Sequence, residues 1–224
     1  ILSEQEIQRS PDTSGYFNDL SKIVTELSGE FAGLGGVIPK ENLNHIEAQI
    51  SRGTMNLSDL NQFECLVLTD NFQYDPQKTP AKFKAVYTCL SEALQDSPDD
   101  LLFLAYLGSL TIWATKSSPK FHELRSLNPD VNTEDGFNMV KRAAEIGPDI
   151  GNVQYLYSAT LRMNGGSADD VLKHAELARD ANPGNPLYMY WLSHSLTDVG
   201  DWNQALTLAQ EARARSLSPP PNYY

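Results

Sequence analysis

The sequence predicts an all-α fold: a right-handed superhelical array of antiparallel helix pairs with an N-terminal helical extension. Three observations carry that expectation. Small residues recur at a fixed shift in the C-terminal half, and runs of helix-forming residues end again and again in a proline. No segment shows the sustained apolar/polar alternation of a half-buried strand.

Residues 1–56 form the expected extension. Tyr16, Phe17, Leu20, Ile23, Val24, Leu27 and Phe31 recur at three and four residues, an amphipathic helix stopped by Gly33-Leu34-Gly35-Gly36. A second helix fits Glu41 to Ile50, with Leu43, Ile46 and Ile50 on one face. Residues 57–224 form the array, in units of about 57–98, 101–149, 152–185 and 186–219. The first unit pairs a helix from Leu57 to about Asp70 with one from Pro80 to Ser97. Leu101 to Ala114 begins the second, and an insertion at 115–134, rich in Ser, Pro and Asn, separates it from its partner. A long loop in a tight array is a frequent seat of function and equally a tolerated insertion.

The last two units fix the period. Gly166, Val171, Ala175 and Ala178 shift by 34 residues onto Gly200, Ala205, Ala209 and Ala212, the tetratricopeptide repeat length. Small side chains at these places let paired helices approach within about 8–10 Å. Pro98, Pro148 and Pro183 each follow a second helix, where a missing N–H and a fixed φ stop it. Leu107-Gly108 stands where such repeats carry Leu-Gly, and Trp202 where they carry an aromatic residue. About ten helices result.

A closer resemblance rests on further strings: Gly15-Tyr16-Phe17, Gly33, Gly36-Val37-Ile38-Pro39, Leu60-Asn61-Gln62-Phe63-Glu64-Cys65, Cys89-Leu90-Ser91-Glu92-Ala93 with Pro98, and the tail Leu217 to Tyr224. Together they resemble the tetratricopeptide region that follows a TolB-like domain in bacterial adenylate/guanylate cyclases and membrane-anchored winged-helix transcription regulators. The resemblance implies a non-catalytic interaction or sensory module whose output chemistry belongs to a preceding part. A start at Ile1 instead of Met fits a piece or processed form of a longer protein.

The two cysteines leave two readings open. Cys65 and Cys89 lie on neighbouring helices, each about a dozen residues from a turn near Lys78, and so can face each other at one height. A bond between them implies an oxidising compartment. The resemblance allows one, because this region can lie beyond a membrane helix in the periplasm, a placement it favours over the cytoplasm. Two ordinary buried thiols are the other reading.

Other chemistry finds little support. A formal charge of −12 repels phosphate backbones and anionic lipid, so neither nucleic acid nor a membrane surface is expected as a partner of this region; a membrane enters only through a preceding segment. His45, His122, His174 and His194 are scattered without metal-ligand spacing, so no metal or other cofactor is expected. Asp130 to Gly136 alternates oxygen ligands as a calcium loop does, but its glycine comes one residue late and Lys141 stands where a bidentate Glu is needed. Helix capping ahead of Phe137 accounts for these residues better. No nucleophile elbow or catalytic triad can be assembled, and the chain is not expected to be an enzyme.

The concave face, built from the first helix of each pair, is where a ligand belongs. Counting units from Leu101, Asn152 and Pro186, the second, fifth, ninth, twelfth and thirteenth positions select Ser109, Ile112 and Trp113, then Leu156, Thr160, Met163 and Asn164, then Tyr190, His194, Thr197 and Asp198. The fifth positions, Ala105, Leu156 and Tyr190, lack the Lys and Asn that clamp a terminal carboxylate. An aromatic groove edged by hydroxyls suits an extended protein or peptide segment, self-association included; a small amphipathic molecule held between the N-terminal helices and the repeats is the alternative.

Overall fold

The computed structural model describes residues 37–52, 60–74, 79–116 and 132–216. The expected helix over 16–31, the glycine stop at 33–36 and most of the insertion lie outside the described residues. Among those described, every regular element is a helix: α1 (Val37–Ser51), α2 (Gln62–Tyr74), α3 (Pro80–Asp96), α4 (Leu101–Lys116), α5 (Thr133–Ile146), α6 (Gly151–Met163), α7 (Ala168–Ala181), α8 (Pro186–Val199) and α9 (Trp202–Arg215). None of them is long and apolar enough to cross a membrane. The helices pack in adjacent pairs, α2 with α3, α4 with α5, α6 with α7 and α8 with α9, while α1 lies against α2.

Local chemistry places the boundaries. Asn61 and Glu64 cap α2 reciprocally: the Asn61 amide donates to Glu64 Oε2 at 2.9 Å, and the Glu64 amide to Asn61 Oδ1 at 3.0 Å. Thr79, Ser167, Asn185 and Asp201 accept amides at the starts of α3, α7, α8 and α9. Asn132 does so for α5 in a capping box with Asp135, so the residues that imitate a calcium loop satisfy helix amides. Pro98, Pro148 and Pro183 sit two residues past the ends of α3, α5 and α7. The ends of α7 and α9 are both 34 residues apart, the period read from the sequence.

The structure trims the expected insertion, 115–134, at both ends: α4 runs on to Lys116 and α5 starts at Thr133. The Thr115 and Thr133 hydroxyls lie 3.0 Å apart, so the intervening chain leaves and returns at one place. Such an insertion adds only a slowly growing closure entropy and leaves the pair intact. The glycine that makes the left-handed turn between α6 and α7 is Gly165, at φ 75°, and not the Gly166 of the repeat pattern; Gly200 plays that part between α8 and α9 at φ 88°.

The second helices present the small residues. Ala143, Ala144, Ala175, Ala178, Ala205 and Ala212 are buried along α5, α7 and α9. α4 and α5 approach each other closely. A Cβ on Gly108 would run into the Gly136 carbonyl oxygen and stand 2.7 Å from Val140 Cγ2; one on Gly136 would stand 2.8 Å from the Gly108 oxygen. Two glycines facing each other thus set that separation.

Candidate functional site

The first helix α4 packs against α6 and α6 against α8, while a hydrogen bond and a ring contact join α2 to α4. Three rows of side chains cross them at equivalent heights.

The deepest row is a hydrogen-bond rail. Tyr188 OH donates to Asn152 Oδ1 at 3.0 Å, Asn152 Nδ2 donates to Tyr106 OH at 2.8 Å, and Tyr106 OH donates to Asp70 Oδ1 at 3.1 Å. Every donor points towards Asp70, one residue from each of the four helices. Asp70 is buried, and loss of solvation pushes its carboxyl up to about 6 despite the Tyr106 hydrogen bond, which opposes the shift. Burial, reinforced by the Asp70 charge, raises the Tyr106 and Tyr188 hydroxyls far above the usual phenol range.

One turn further on, Ser109, Tyr155 and Trp191 form the second row. With Phe72, Leu110, Trp113, Leu156, Ala159, Arg162 and Met163 they line an open, mainly apolar cavity of about 210 Å³. Two aromatic groups wall it. On one side Trp113 meets Phe72 edge to face at 5.7 Å and stacks with Phe83 at 6.4 Å. On the other, Tyr155 meets Trp191 edge to face at 5.6 Å and lies against Tyr188 at 5.9 Å with the rings tilted by 31°. Trp191 is fixed from behind: its indole N–H donates to Ser158 Oγ at 2.8 Å, and that hydroxyl donates to the Val171 carbonyl of α7 at 2.8 Å.

The third row is charged. The only formally charged side chains of α4, α6 and α8 are Lys116, Arg162 and Asp198, and all three stand near the helix ends at the lip of the cavity. Arg162 Nη2 donates to Asp198 Oδ1 at 3.1 Å, and its guanidinium lies 5.6 Å from the Trp191 ring centre. Lys116 Nζ donates to the Met163 carbonyl at 3.1 Å.

Of the residues selected from the sequence, Ser109, Trp113 and Met163 line the cavity, as does Leu156; Thr160, Asn164, Tyr190, His194 and Asp198 do not. Thr160 is buried, and its hydroxyl has no partner among the described residues. Asn164 turns back to donate to the Thr160 carbonyl at 2.9 Å. Tyr190 and His194 form an edge-to-face pair at 4.6 Å beside the lip. Burial first, and then Arg162, lowers the His194 pKa; Asp198 partly offsets them.

The omissions on α6 and on α8 have different causes. The rows are spaced 36, 46 and 36 residues apart, whereas counting from Leu101, Asn152 and Pro186 assumes 51 and 34. Starting α6 at its true first residue, Gly151, moves the fifth, ninth, twelfth and thirteenth positions onto Tyr155, Ala159, Arg162 and Met163, all of which line the cavity. On α8 the count already starts at the true first residue, Pro186, and Trp191 falls at the sixth position, which the selection skips. The fifth positions Ala105, Tyr155 and Tyr190 still carry no Lys or Asn.

Elsewhere, Cys65 and Cys89 face each other across α2 and α3 with Cα atoms 6.0 Å apart, within the range of a bridged pair. His174 serves the core. Gln154 gives both amide hydrogens to the Ala144 and Gly147 carbonyls, so its oxygen, 2.7 Å from His174 Nδ1, accepts and that nitrogen carries a proton.

No protein-family model matches the chain, and no curated protein matches it. Among solved structures, MamA AMB-1 in its P212121 form is 18% identical over 80% of this chain and 98% of its own, with a TM-score of 0.43. A C2221 form of MamA AMB-1 is 16% identical over 79% and 95%, at 0.39, and MamA MSR-1 is 15% identical over 91% and 97%, at 0.39. At these scores the likeness carries no argument; the fold rests on this chain's own helix pairs and their period.

Proposed function

We propose that this chain is a non-catalytic interaction module that seats an extended protein segment in the groove crossed by α2, α4, α6 and α8. The observation that carries the reading is the aromatic cavity: Phe72, Trp113, Tyr155 and Trp191 hold about 210 Å³ open on the face that repeat arrays use for partners. An apolar cavity of about 150 Å³ accepts a benzene ring, so this one takes a single large side chain of a bound segment. The signalling context implied by the TolB-associated resemblance, and an extracytoplasmic location with Cys65 bonded to Cys89, belong to the same proposal.

Selection of displayed twelve-residue peptides on the folded chain tests it. Enriched peptides should lose binding to Trp191→Ala and Trp113→Ala variants that keep their helical circular dichroism. No enrichment, or enrichment indifferent to both variants, removes the groove reading. Sedimentation of the chain alone tells whether a second copy supplies the segment.

A further inference from the structure

The groove reading leaves open what the segment must carry, and the charged row supplies an answer that rests on it. We infer that the groove selects a segment in which a large apolar side chain, seated in the cavity, is followed at once by a carboxylate that reaches Lys116 and Arg162 at the lip.

Charge distribution is the first support. The chain as a whole is strongly acidic, at −12, yet the first helices α4, α6 and α8 carry two cations and one anion, all at the same end of the groove. The rest of the groove surface on α4, α6 and α8 carries no formal charge. A focused positive lip on a negative protein discriminates between partners, because a basic segment is drawn to the body and an acidic one only to the lip.

Unused hydrogen-bonding capacity is the second. A guanidinium has five N–H donors, and among the described residues Arg162 commits one of them, from Nη2 to Asp198. Its face lies against Trp191, which fixes its plane at the cavity mouth. Among the described residues Lys116 commits one of three donors, to the Met163 carbonyl. Met163 itself lines the cavity, so both cations border the space where a seated side chain would stand. A carboxylate one residue along from that side chain meets an open fork without breaking the Arg162–Asp198 pair.

The third support is Asp198. It sits in the row position that Lys116 and Arg162 occupy on the preceding helices, and its charge opposes an incoming anion. Asp198 therefore tempers the lip: removing its charge should strengthen binding of an acidic segment.

This arrangement differs from a clamp at the fifth positions, where Ala105, Tyr155 and Tyr190 stand. The recognised group is a side-chain carboxylate next to an apolar anchor, within a continuous segment.

Three blocked heptapeptides, acetyl-Gly-Ser-Leu-Phe-X-Ser-Gly-amide with X as Glu, Gln or Lys, provide the test. They are titrated into the whole chain and read from the indole N–H resonances of Trp113 and Trp191. The Glu peptide is expected to bind about fivefold more tightly than the Gln peptide, the scale of a solvent-bordered ion pair, and the Lys peptide most weakly. Arg162→Gln should abolish the Glu-over-Gln preference while leaving Gln-peptide binding in place, and Asp198→Asn should enlarge it. Equal binding of all three peptides overturns the inference and leaves the groove reading standing, as does an undiminished preference in Arg162→Gln. Binding of none of them sinks the inference and the groove reading together.

Discussion

The two layers of the array solve the same packing problem with different chemistry. The second helices α5, α7 and α9 bring alanines and glycine inward and turn charged faces to water. The first helices α4, α6 and α8 are almost free of charge and bury hydroxyls, an amide and aromatic rings, tied across the array by the rail that ends on Asp70. The second layer sets distance and the first sets register. Mutations should therefore fail by collision in one layer and by orphaned polar groups in the other.

The largest effect belongs to the contact between layers. Gly108→Ala places a methyl group against the Gly136 carbonyl oxygen and Val140, backbone and branched side chain that have little room to move. Alanine favours a helix over glycine by about 1 kcal/mol. Overpacking should nonetheless win, with a net loss of about 3 kcal/mol in urea unfolding. Gly200→Ala, in open space at φ 88°, should cost only about 1 kcal/mol, from backbone strain alone. Equal losses at the two sites would show that the α4–α5 approach is not as close as described.

The rail predicts a change of opposite sign. Asp70 ionises in the folded state near 6 instead of its ordinary 3.8, so between those pH values the native chain holds more protons than the unfolded one. Stability should then fall as pH rises from about 4 to about 6, because a raised carboxyl pKa favours the folded state only while the group is protonated. The span corresponds to about 3 kcal/mol. Asp70→Asn keeps an acceptor for Tyr106 and removes the buried charge. It should gain about 2 kcal/mol at pH 7.5, gain almost nothing at pH 4, and flatten the decline. Tyr106→Phe should instead lose about 2 kcal/mol at pH 7.5, since it strips the carboxylate of its donor. Urea midpoints at the two pH values measure both, and a destabilised Asp70→Asn would remove the rail's assigned energetics.

A smaller effect is expected behind the groove. Ser158→Ala removes the hydroxyl that accepts the Trp191 indole N–H and satisfies the Val171 carbonyl. It should cost about 1–2 kcal/mol and broaden the Trp191 indole resonance, whereas Ser158→Thr, if it folds, should restore the contact. An unchanged indole signal would mean that packing alone holds the ring.

How far the sequence was legible follows the same division. The alanine and glycine positions of the second helices recur because their size is dictated by a neighbour at fixed distance, so a shift of 34 finds α7 and α9 directly. Capping residues and the prolines after α3, α5 and α7 are local signals and mark their boundaries well. The first helices repeat in position but not in residue type: Asp70, Tyr106, Asn152 and Tyr188 share one height and nothing else that a periodicity search registers. Their spacing differs from that of their partners, because the connections within the pairs differ in length while the turns between units, 97–100, 147–150 and 182–185, do not. A grid carried over from one layer therefore slips on the other. On α6 that slip passed over Tyr155, Ala159 and Arg162, while Met163 survived because both counts include it; on α8 the selected positions step over Trp191, the residue after Tyr190.

The smallest expected effect isolates burial as the cause of the rail's importance. Arg142 and Asp99 form an ion pair of 2.7 Å between α5 and the turn before α4, closer than the 3.1 Å of the Tyr106–Asp70 hydrogen bond. Their side chains are 58% and 84% exposed, so water solvates both charges whether or not they touch. Ordering two mobile side chains offsets what little Coulomb energy remains at that dielectric. Asp99→Asn should leave the urea midpoint where it is, at pH 4 and at pH 7.5 alike, while Tyr106→Phe moves it at pH 7.5. A shift of similar size in Asp99→Asn would mean that distance, and not loss of solvation, ranks the polar contacts of this array.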